Sequence, residues 1–182
     1  IGEKSLSARA FNWLNRATLR RATDVIALDQ FMAAGINRKY PVFDKMTVCP
    51  PWAPREALGP VAHEANPFRK RYGLEDKFVL MYSGNHSTSN PIDTILKAAI
   101  RLQHQHRLIF VFVGGGAGKK QVEQVIADSH ASNILALPYQ PLEAIRYSLS
   151  AADVHLVSLG NEMVGIIHPC KVYGAMVLAR PV

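Results

Sequence analysis

Residues 78–84 read FVLMYSG, and residues 108–116 read LIFVFVGGG. Both stretches are continuous apolar runs that end in glycine, without the alternation of polar and apolar side chains that a half-exposed strand shows. Strands have this composition when helices cover both faces of their sheet, as in parallel sheets. The two runs therefore predict buried parallel strands of an α/β domain.

The chain beyond these runs alternates helical and apolar segments. Helical patterns occupy about 92–102, 121–131, 142–151 and 169–176, and short apolar strands are predicted at 134–137 and 154–157. This order predicts a doubly wound α/β domain with one parallel sheet, the Rossmann-like type, from residue 78 onward. The first residue is Ile, and the last residues, Arg180 to Val182, stop where a strand could begin. We therefore expect the fold to be incomplete at both ends and the chain to be a piece of a longer protein.

The first part of the chain is organised differently. Residues 3–23 place apolar side chains at three- and four-residue spacing and predict an amphipathic helix. A strand at 24–28, a helix from Asp29 and a strand at 46–49 follow. Five prolines then crowd between residues 50 and 67, and proline lacks the N–H that a sheet needs. We therefore predict the end of a first domain over 1–50, a linker over 51–77 and a second domain over 78–182.

Composition narrows the function. Cys49 and Cys170 lie far apart without a CxxC pair, so we expect neither a disulfide framework nor a metal site, and a reducing compartment. The net charge is +7, and residues 1–21 hold five basic side chains against one acidic. No nucleic-acid partner is expected, because aromatic residues other than Trp13 do not interleave with the basic ones. An anionic membrane surface and a solvated helix face remain as explanations of the basic helix.

Ligands of open parallel sheets bind beyond the carboxyl ends of the strands, where helix N-termini point unpaired N–H groups outward. One such loop, VGGGAGKK at 113–120, resembles a phosphate-binding loop but departs from it. Val113 stands where the Walker pattern needs glycine, and Lys119 stands where the dinucleotide fingerprint needs its third glycine. Two interpretations stay open: a tight turn, or a turn whose small residues let a nucleotide approach. The candidate residues are Gly114, Gly115 and Gly116.

A second loop, SGNHSTSNP at 83–91, follows the first buried strand. Its Ser and Asn residues suit a helix cap, with Ser89 or Asn90 as the capping residue. Capping does not explain Gly84, Asn85 and His86, whose backbone N–H groups and neutral side chains could hold a phosphate. We name these three as candidates for phosphate binding.

The third informative loop begins at residue 160. Glu162 follows a buried strand, and a carboxylate there can accept two hydroxyl groups of a ribose. Gly165 and Ile166, just before a helix, place backbone amides where a diphosphate could dock. Lys171 lies in the first turn of that helix, where the helix dipole disfavours a cation. An anionic partner explains this placement, and a salt bridge to another domain is the alternative.

Six segments in chain order resemble motifs of the family 4 glycosyltransferases, the retaining GT-B enzymes that use nucleotide-activated sugars, and above all the bacterial branch that builds capsule, O-antigen and exopolysaccharide chains. The segments are RRATDVIALD at 20–29, MTVCPPW at 46–52, FVLMYSGN at 78–85, VFVGGGAGKKQVE at 111–123, LALPYQPLEAIRYSLSAADVHLVSL at 135–159 and VGIIHPCKVYGAMVLARPV at 164–182.

The resemblance implies a GT-B fold, with residues 1–50 from the acceptor-side domain and 78–182 from a truncated donor domain. It implies an enzyme that transfers a sugar from a nucleoside diphosphate sugar, with no cofactor, to a glycan or lipid-linked acceptor, in the cytoplasm and peripherally on the inner face of the plasma membrane. The fragment alone is expected to be inactive. Glu162 and Lys171 take the catalytic roles, and the loop at 138–141 adds Tyr139 and Gln140 to the donor-binding residues.

The sequence departs from the family pattern at its charged positions. Asn85 and His86 stand where the family has basic diphosphate ligands, and Cys170 lies eight residues after Glu162, where the paired-glutamate motif has its second glutamate. Phosphate neutralisation is therefore transferred to Lys171. Two other functions stay open: a nucleotide-sugar epimerase on the same scaffold, which would need more carboxylates than these loops hold, and a non-catalytic nucleotide- or anion-binding module.

Overall fold

A computed structural model describes residues 5–52 and 59–182 of the chain. These residues form two compact units. The smaller unit contains residues 5–51 and 162–168, and the larger one contains the remaining described residues. The predicted linker falls differently: residues 53–58 lie outside the described residues, and residues 59–77 join the larger unit by their contacts. Residues 162–168, which the sequence assigns to the second domain, join the smaller unit.

The smaller unit contains two helices and two short parallel strands. In chain order they are α1 (Leu6–Arg21), β1 (Val25–Ala27), α2 (Gln30–Lys39) and β2 (Met46–Val48). Val25 pairs with Met46 in the parallel ladder. Ser5 begins α1 by accepting a hydrogen bond from the Ala8 amide, as N-cap serines do. Residues 3 and 4 of the predicted first helix lie outside the described residues.

A short helix in the proline-rich segment attaches that segment to the larger unit. Helix α3 (Pro67–Arg71) begins with proline, whose missing N–H costs nothing at the first helical position. Its Arg69 is only 2% exposed. The guanidinium donates to the carbonyls of Ala151, Leu74 and Lys77 and contacts the Asp153 carboxylate at 3.3 Å. Prolines indicated a linker, but this buried arginine gives the segment a fixed place.

The larger unit is built on a four-stranded parallel sheet of order β5-β4-β3-β6. The strands are β3 (Phe78–Ser83), β4 (Leu108–Val113), β5 (Ile134–Leu137) and β6 (Val154–His155). The connecting helices are α4 (Asp93–Arg101), α5 (Lys119–Ser129) and α6 (Ile145–Ser150), and α7 (Lys171–Val177) follows β6. The predicted α/β architecture with parallel strands is confirmed.

Alternate residues of the central strands face opposite cores, which explains their continuous apolar sequence. Val79, Met81 and Val111 pack in one cluster with Phe68 of α3. Tyr82 and Phe112, at intervening positions, pack in a second cluster with apolar residues of α4 and α5. Because a strand side chain points to the face opposite its neighbours', a strand covered on both faces has no polar positions. The sheet is therefore doubly wound.

The strand order reverses at β3, because β4 lies on one side of it and β6 on the other. Loops that leave such neighbouring strands in opposite directions open a crevice at the carboxyl edge.

Among the described residues, no helix is both long and apolar enough to cross a membrane.

Candidate functional site

A cavity of about 270 Å³ lies at this carboxyl edge, within the larger unit. The ends of β3 and β6, the loop after β5 and the helices α6 and α7 contribute its walls. Its lining residues include Ser83, Gly84, Tyr139, Gln140, His155 and Lys171. Four of the residues that the sequence predicts for donor binding thus lie around one cavity, namely Gly84, Tyr139, Gln140 and Lys171.

Lys171 has the most distinctive environment of these residues. Its stem crosses the backbone of Gly84, where a Cβ atom would lie 2.8 Å from the lysine Cε. Its ammonium donates to the Tyr82 hydroxyl at 2.5 Å and to the Asn85 carbonyl at 3.3 Å, and it lies 4.2 Å from the centre of the Tyr82 ring. An ammonium carries three N–H donors, so one is left for a ligand.

Electrostatics at this point favour an anion. No ion pair of Lys171 occurs among residues 5–52 and 59–182. Burial without a counter-charge lowers the pKa of Lys171 to about 8, since desolvation disfavours the charged form. Burial also raises the pKa of Tyr82 to about 12, so the phenol keeps its proton and donates to the Asn85 carbonyl at 2.9 Å. The site is a partly dehydrated cation held by neutral oxygens.

The backbone amides at the end of β3 are less available than the sequence suggests. The amide of Gly84 donates to Val113 and that of His86 donates to Gly115, so neither is free for a phosphate. The His86 side chain is 1% exposed, packs against Tyr82 and Phe112, and its Nδ1 lies 3.2 Å from the Gly115 carbonyl. Burial is the main cause that lowers the pKa of His86. Asn85 is exposed at the loop tip.

The three glycines after β4 allow one loop to pack on another. A Cβ on Gly114 would lie 2.0 Å from the Gly84 carbonyl oxygen, and one on Gly116 would lie 2.2 Å from Oδ1 of Asn85. A Cβ on Gly115 would press on the Tyr139 ring at 3.0 Å. The space beside these glycines is thus filled by protein, which explains their small size without a nucleotide.

The ammonium of Lys119 is bonded to backbone carbonyls. Its ammonium donates to the carbonyls of Leu137 and Gly114, at the ends of two adjacent strands. Burial lowers its pKa. The lysine of the VGGGAGKK segment therefore ties strand ends together, which agrees with its failure to match a phosphate-loop pattern.

Helix α4 is not capped as the sequence suggested. Its N-cap is Ile92, without a side-chain hydrogen bond. The side-chain amide of Asn90 instead donates to the Ser158 carbonyl at 2.7 Å, and the backbone amide of Gly160 donates to the Ser89 carbonyl at 2.9 Å. These polar residues connect two of the strand-end loops, because each loop offers backbone groups that no strand satisfies.

The remaining predicted residues lie in the smaller unit. Glu162 is exposed in a 3-10 turn at Asn161–Met163. The amide of Ile166, predicted to bind a diphosphate, already donates to the Met163 carbonyl at 3.0 Å. Gly165 has φ +77°, and its position against the Phe31 carbonyl leaves no room for a side chain. Packing therefore explains the glycine at position 165. The backbone amide of Ile166 is already hydrogen-bonded within the turn.

Tyr82, which lies beside the cavity, and His155, which lines it, are among the residues that were not predicted from the sequence. Tyr82 supports Lys171 with its hydroxyl and ring, and His155 lines the cavity with Nε2 2.9 Å from the Leu149 carbonyl. A side chain with a hydroxyl group at the end of the apolar run FVLMY, residues 78–82, was the available signal for Tyr82. Within the described residues, no group of three or more His, Cys, Asp or Glu side chains is arranged to hold a metal ion.

Comparison with known proteins connects this geometry to a family. Residues 63–168 match the protein family described as Glycosyl transferases group 1. The probable glycosyltransferase WbjE of Pseudomonas aeruginosa is 30% identical over 131 residues, which are 72% of this chain and 32% of WbjE. The putative colanic acid biosynthesis glycosyl transferase WcaI of Escherichia coli K12 is 26% identical over 172 residues, 93% of this chain and 41% of WcaI. The chain thus spans between about a third and two fifths of these relatives.

Solved structures share the fold. Anabaena Alr3699/HepE in complex with UDP-glucose superposes with a TM-score of 0.75 at 17% identity, over 96% of this chain and 48% of that one. WaaG, a glycosyltransferase involved in lipopolysaccharide biosynthesis, superposes with a TM-score of 0.72 at 18% identity, over 99% of this chain and 49% of that one. At this identity the likeness is one of fold alone.

Proposed function

This chain belongs to the group 1 glycosyl transferases, and from that membership we propose that the whole protein transfers a sugar from a nucleoside diphosphate sugar. The observation that carries the donor assignment is Lys171. It is a half-buried cation with one N–H donor to spare, at a cavity on the carboxyl edge of a parallel sheet. A diphosphate would supply the negatively charged partner that this ammonium does not have within the described residues.

The chemistry follows from the position of that charge. Cleavage of the bond between sugar and diphosphate builds negative charge on the leaving diphosphate, and a fixed cation at that point lowers the barrier. Lys171 takes this role, without a metal or cofactor. Glu162 would accept hydroxyl groups of the donor, and Tyr139, which is 59% exposed beside Gly115, offers a ring face to the nucleotide.

We place the protein in family 4, with retention of the anomeric configuration, and in bacterial surface polysaccharide synthesis. The support is the ordered set of motifs from residue 20 to residue 182 and the relative named for colanic acid biosynthesis. The acceptor would be a glycan or a lipid-linked saccharide. Structure neighbours named with UDP and UDP-glucose make uridine nucleotides the first donors to try.

The surface of α1 supports a further part of the proposal, attachment to an anionic membrane on its cytoplasmic side. None of its residues is buried, and Leu6, Phe11 and Trp13 are 82%, 65% and 71% exposed. Arginines occupy the same helix, with Arg20 and Arg21 in its last turn. Aromatic and basic residues together are typical of helices that lie in a lipid headgroup layer.

Donor binding is tested by calorimetric titration of the full-length protein with UDP-glucose and other nucleoside diphosphate sugars. Binding is expected for the wild-type protein. Lys171→Ala should lose about tenfold to a hundredfold in affinity, because hydrogen bonds to charged groups contribute about 1.5–3 kcal/mol. Lys120→Ala, which removes an exposed lysine from another helix, should leave affinity unchanged. The absence of donor binding by a folded wild-type protein would refute the proposal.

The reaction itself is identified by its product. With a bound donor and a candidate acceptor, a retaining transferase yields a new glycosidic bond with the donor's anomeric configuration, whereas an epimerase returns an altered nucleotide sugar without acceptor. Nuclear magnetic resonance of the product distinguishes these outcomes. An epimerised donor in acceptor-free reactions would contradict the transferase assignment.

A further inference from the structure

The loop between β6 and α7 is held by residues of the smaller unit. Its residues 162–168 cluster with residues 5–51, although the chain on both sides of the loop belongs to the larger unit. The segment 162–168 contains Glu162 and ends at His168. Whatever fixes the loop therefore also fixes the backbone that carries Glu162.

A short polar contact anchors the loop at its end. Nδ1 of His168 lies 2.6 Å from Oδ2 of Asp29, across a sequence separation of 139 residues. The side chains are only 15% and 22% exposed, so water screens the pair incompletely. The hydrogen bond from the Met32 amide and the bond from His168 hold the pKa of Asp29 below its usual value. Asp29 is thus ionised at neutral pH and available to the histidine.

The two carboxylate oxygens of Asp29 make different hydrogen bonds. Oδ1 accepts from the Met32 amide at 2.7 Å and caps α2. Capping α2 needs only this oxygen, and the bond from His168 to Oδ2 adds nothing to the cap. The contact at Oδ2 therefore holds the loop in place and is not part of the helix cap.

A backbone contact fixes the middle of the same loop. Gly165 adopts φ +77°, a conformation that favours glycine, and a Cβ there would lie 3.0 Å from the Phe31 carbonyl oxygen. On the other side of this contact, a Cβ on Gly35 would lie 3.3 Å from the Gly165 oxygen. The loop is seated on α2 at two points, one polar and one steric.

We propose that Asp29 and His168 are positioning residues for donor binding, which hold the 162–168 loop in its binding shape before the donor arrives. The inference rests on the proposed function, in which Glu162 accepts hydroxyl groups of the donor. A loop that is already ordered loses little conformational freedom on binding, so its contacts contribute more fully to affinity. Without the pair, the donor must order the loop itself.

The test uses steady-state kinetics of the full-length enzyme with its donor and acceptor. His168→Ala should raise the donor KM about threefold to tenfold, with kcat little changed. The effect is smaller than that of losing a direct charge-assisted contact to the donor, because the bond acts on the donor only through the order of the loop. Asp29→Asn should act in the same direction while keeping the α2 cap, because asparagine caps helices as well as aspartate. His168→Asn, whose amide can donate from the Nδ1 position, should restore most of the donor affinity.

Two further measurements separate positioning from general destabilisation. The double variant D29N/H168A should have about the same donor KM as H168A alone, because both substitutions remove the same contact, the one between Asp29 and His168. Hydrogen exchange of the 162–168 amides should speed up in H168A without donor. His63→Ala is the matched control, since Nδ1 of His63 lies 3.7 Å from Oδ1 of Asp153 in the larger unit. It should leave the donor KM and the exchange of the loop unchanged.

The outcomes are distinct. A wild-type enzyme that turns over donor while H168A and D29N keep its donor KM overturns the inference and leaves the proposed function standing. Additive effects of the two changes also overturn it. A wild-type protein that binds no nucleoside diphosphate sugar overturns the proposed function and the inference together. If H168A fails to fold, D29N and H168N decide, and a normal donor KM in D29N counts against the pair.

Discussion

Lys171 is a half-buried cation without a negatively charged partner among the described residues. A lysine in the first helical turn opposes the helix dipole, and here its nitrogen meets a hydroxyl, a carbonyl and an aromatic face, all neutral. Desolvation lowers its pKa to about 8. The protein therefore holds a cation at some cost, which an anionic ligand would offset.

Donor affinity should depend on pH through Lys171. Its pKa is lowered, so the free protein loses the ammonium proton as pH rises through about 8, whereas the diphosphate needs the charged form. Between about pH 7 and about pH 9 the affinity for a nucleoside diphosphate sugar should fall about tenfold. Calorimetry across this range measures it. Lys171→Arg, which stays charged, should flatten the profile even if its affinity is lower, and an equally steep profile in that variant would assign the titration to another group.

Gly114 illustrates the opposite case, a residue fully explained by packing. It has φ +133°, and a Cβ would lie 2.0 Å from the Gly84 carbonyl oxygen. Gly114→Ala should lower the free energy of unfolding by about 2 kcal/mol or more, because both the backbone and the loop must move. Denaturant unfolding measures this. Gly59→Ala is the control, since a Cβ there meets nothing within 4 Å, and equal destabilisation of both variants would contradict the explanation.

Among the elements, α3 is stabilised by one buried arginine rather than by length. Five residues are too few for a stable isolated helix. Arg69 joins it to the carbonyls of Leu74 and Lys77, just after the helix, and to that of Ala151, at the end of α6. The segment 59–77 is in this way part of the sheet unit. Its prolines limit strand formation without making it a free linker.

Arg69→Ala should cost about 3–5 kcal/mol of stability, the usual effect of removing one partner from a buried charged network. Arg71→Ala, at an exposed position of the same helix, should cost less than about 0.5 kcal/mol. Urea unfolding of both variants measures the difference. Similar midpoints for the two would show that the arginine does not hold the segment.

Helix α1 should bind anionic vesicles in a charge-dependent manner. Each arginine near negatively charged lipid contributes up to about 1 kcal/mol, and salt screens this over about 8 Å. The full-length protein should co-sediment with phosphatidylserine vesicles at low salt and less at high salt. The variant R16Q/R20Q/R21Q should lose most of this binding, and R101Q/R107Q in the larger unit should not. Binding that ignores lipid charge and these substitutions would make α1 a structural helix.

At the scale of the whole molecule, the donor should stabilise the fold. A ligand that binds only the folded state at about 100 times its Kd adds about 2.7 kcal/mol. Thermal unfolding of the full-length protein should therefore shift upward with nucleoside diphosphates and less with the matching nucleoside, which lacks the charge that Lys171 binds. Equal shifts with both would place recognition on the base and ribose instead.

Much of the architecture could be predicted because the sequence encodes it locally. The apolar runs at 78–84 and 108–116 indicate strands that are buried on both faces. The helical pattern between them indicates that a crossover helix joins these strands, and strands joined in this way are parallel. The ordered motifs led to the family in the same way. These features depend on residues near one another in the chain, and each can be recognised from its own segment.

The identity of each contact was decided by tertiary structure. Lys119 and Lys171 each begin a helix, but Lys119 donates to strand-end carbonyls and Lys171 lies beside a cavity without a carboxylate. Arg69 reads as one more surface charge until the sheet buries it, and Asp29 reads as a simple helix cap until His168 meets it from 139 residues away. Charge and hydrogen bonding act through space, so their partners are set by the fold, whereas periodicity and apolar runs act along the chain.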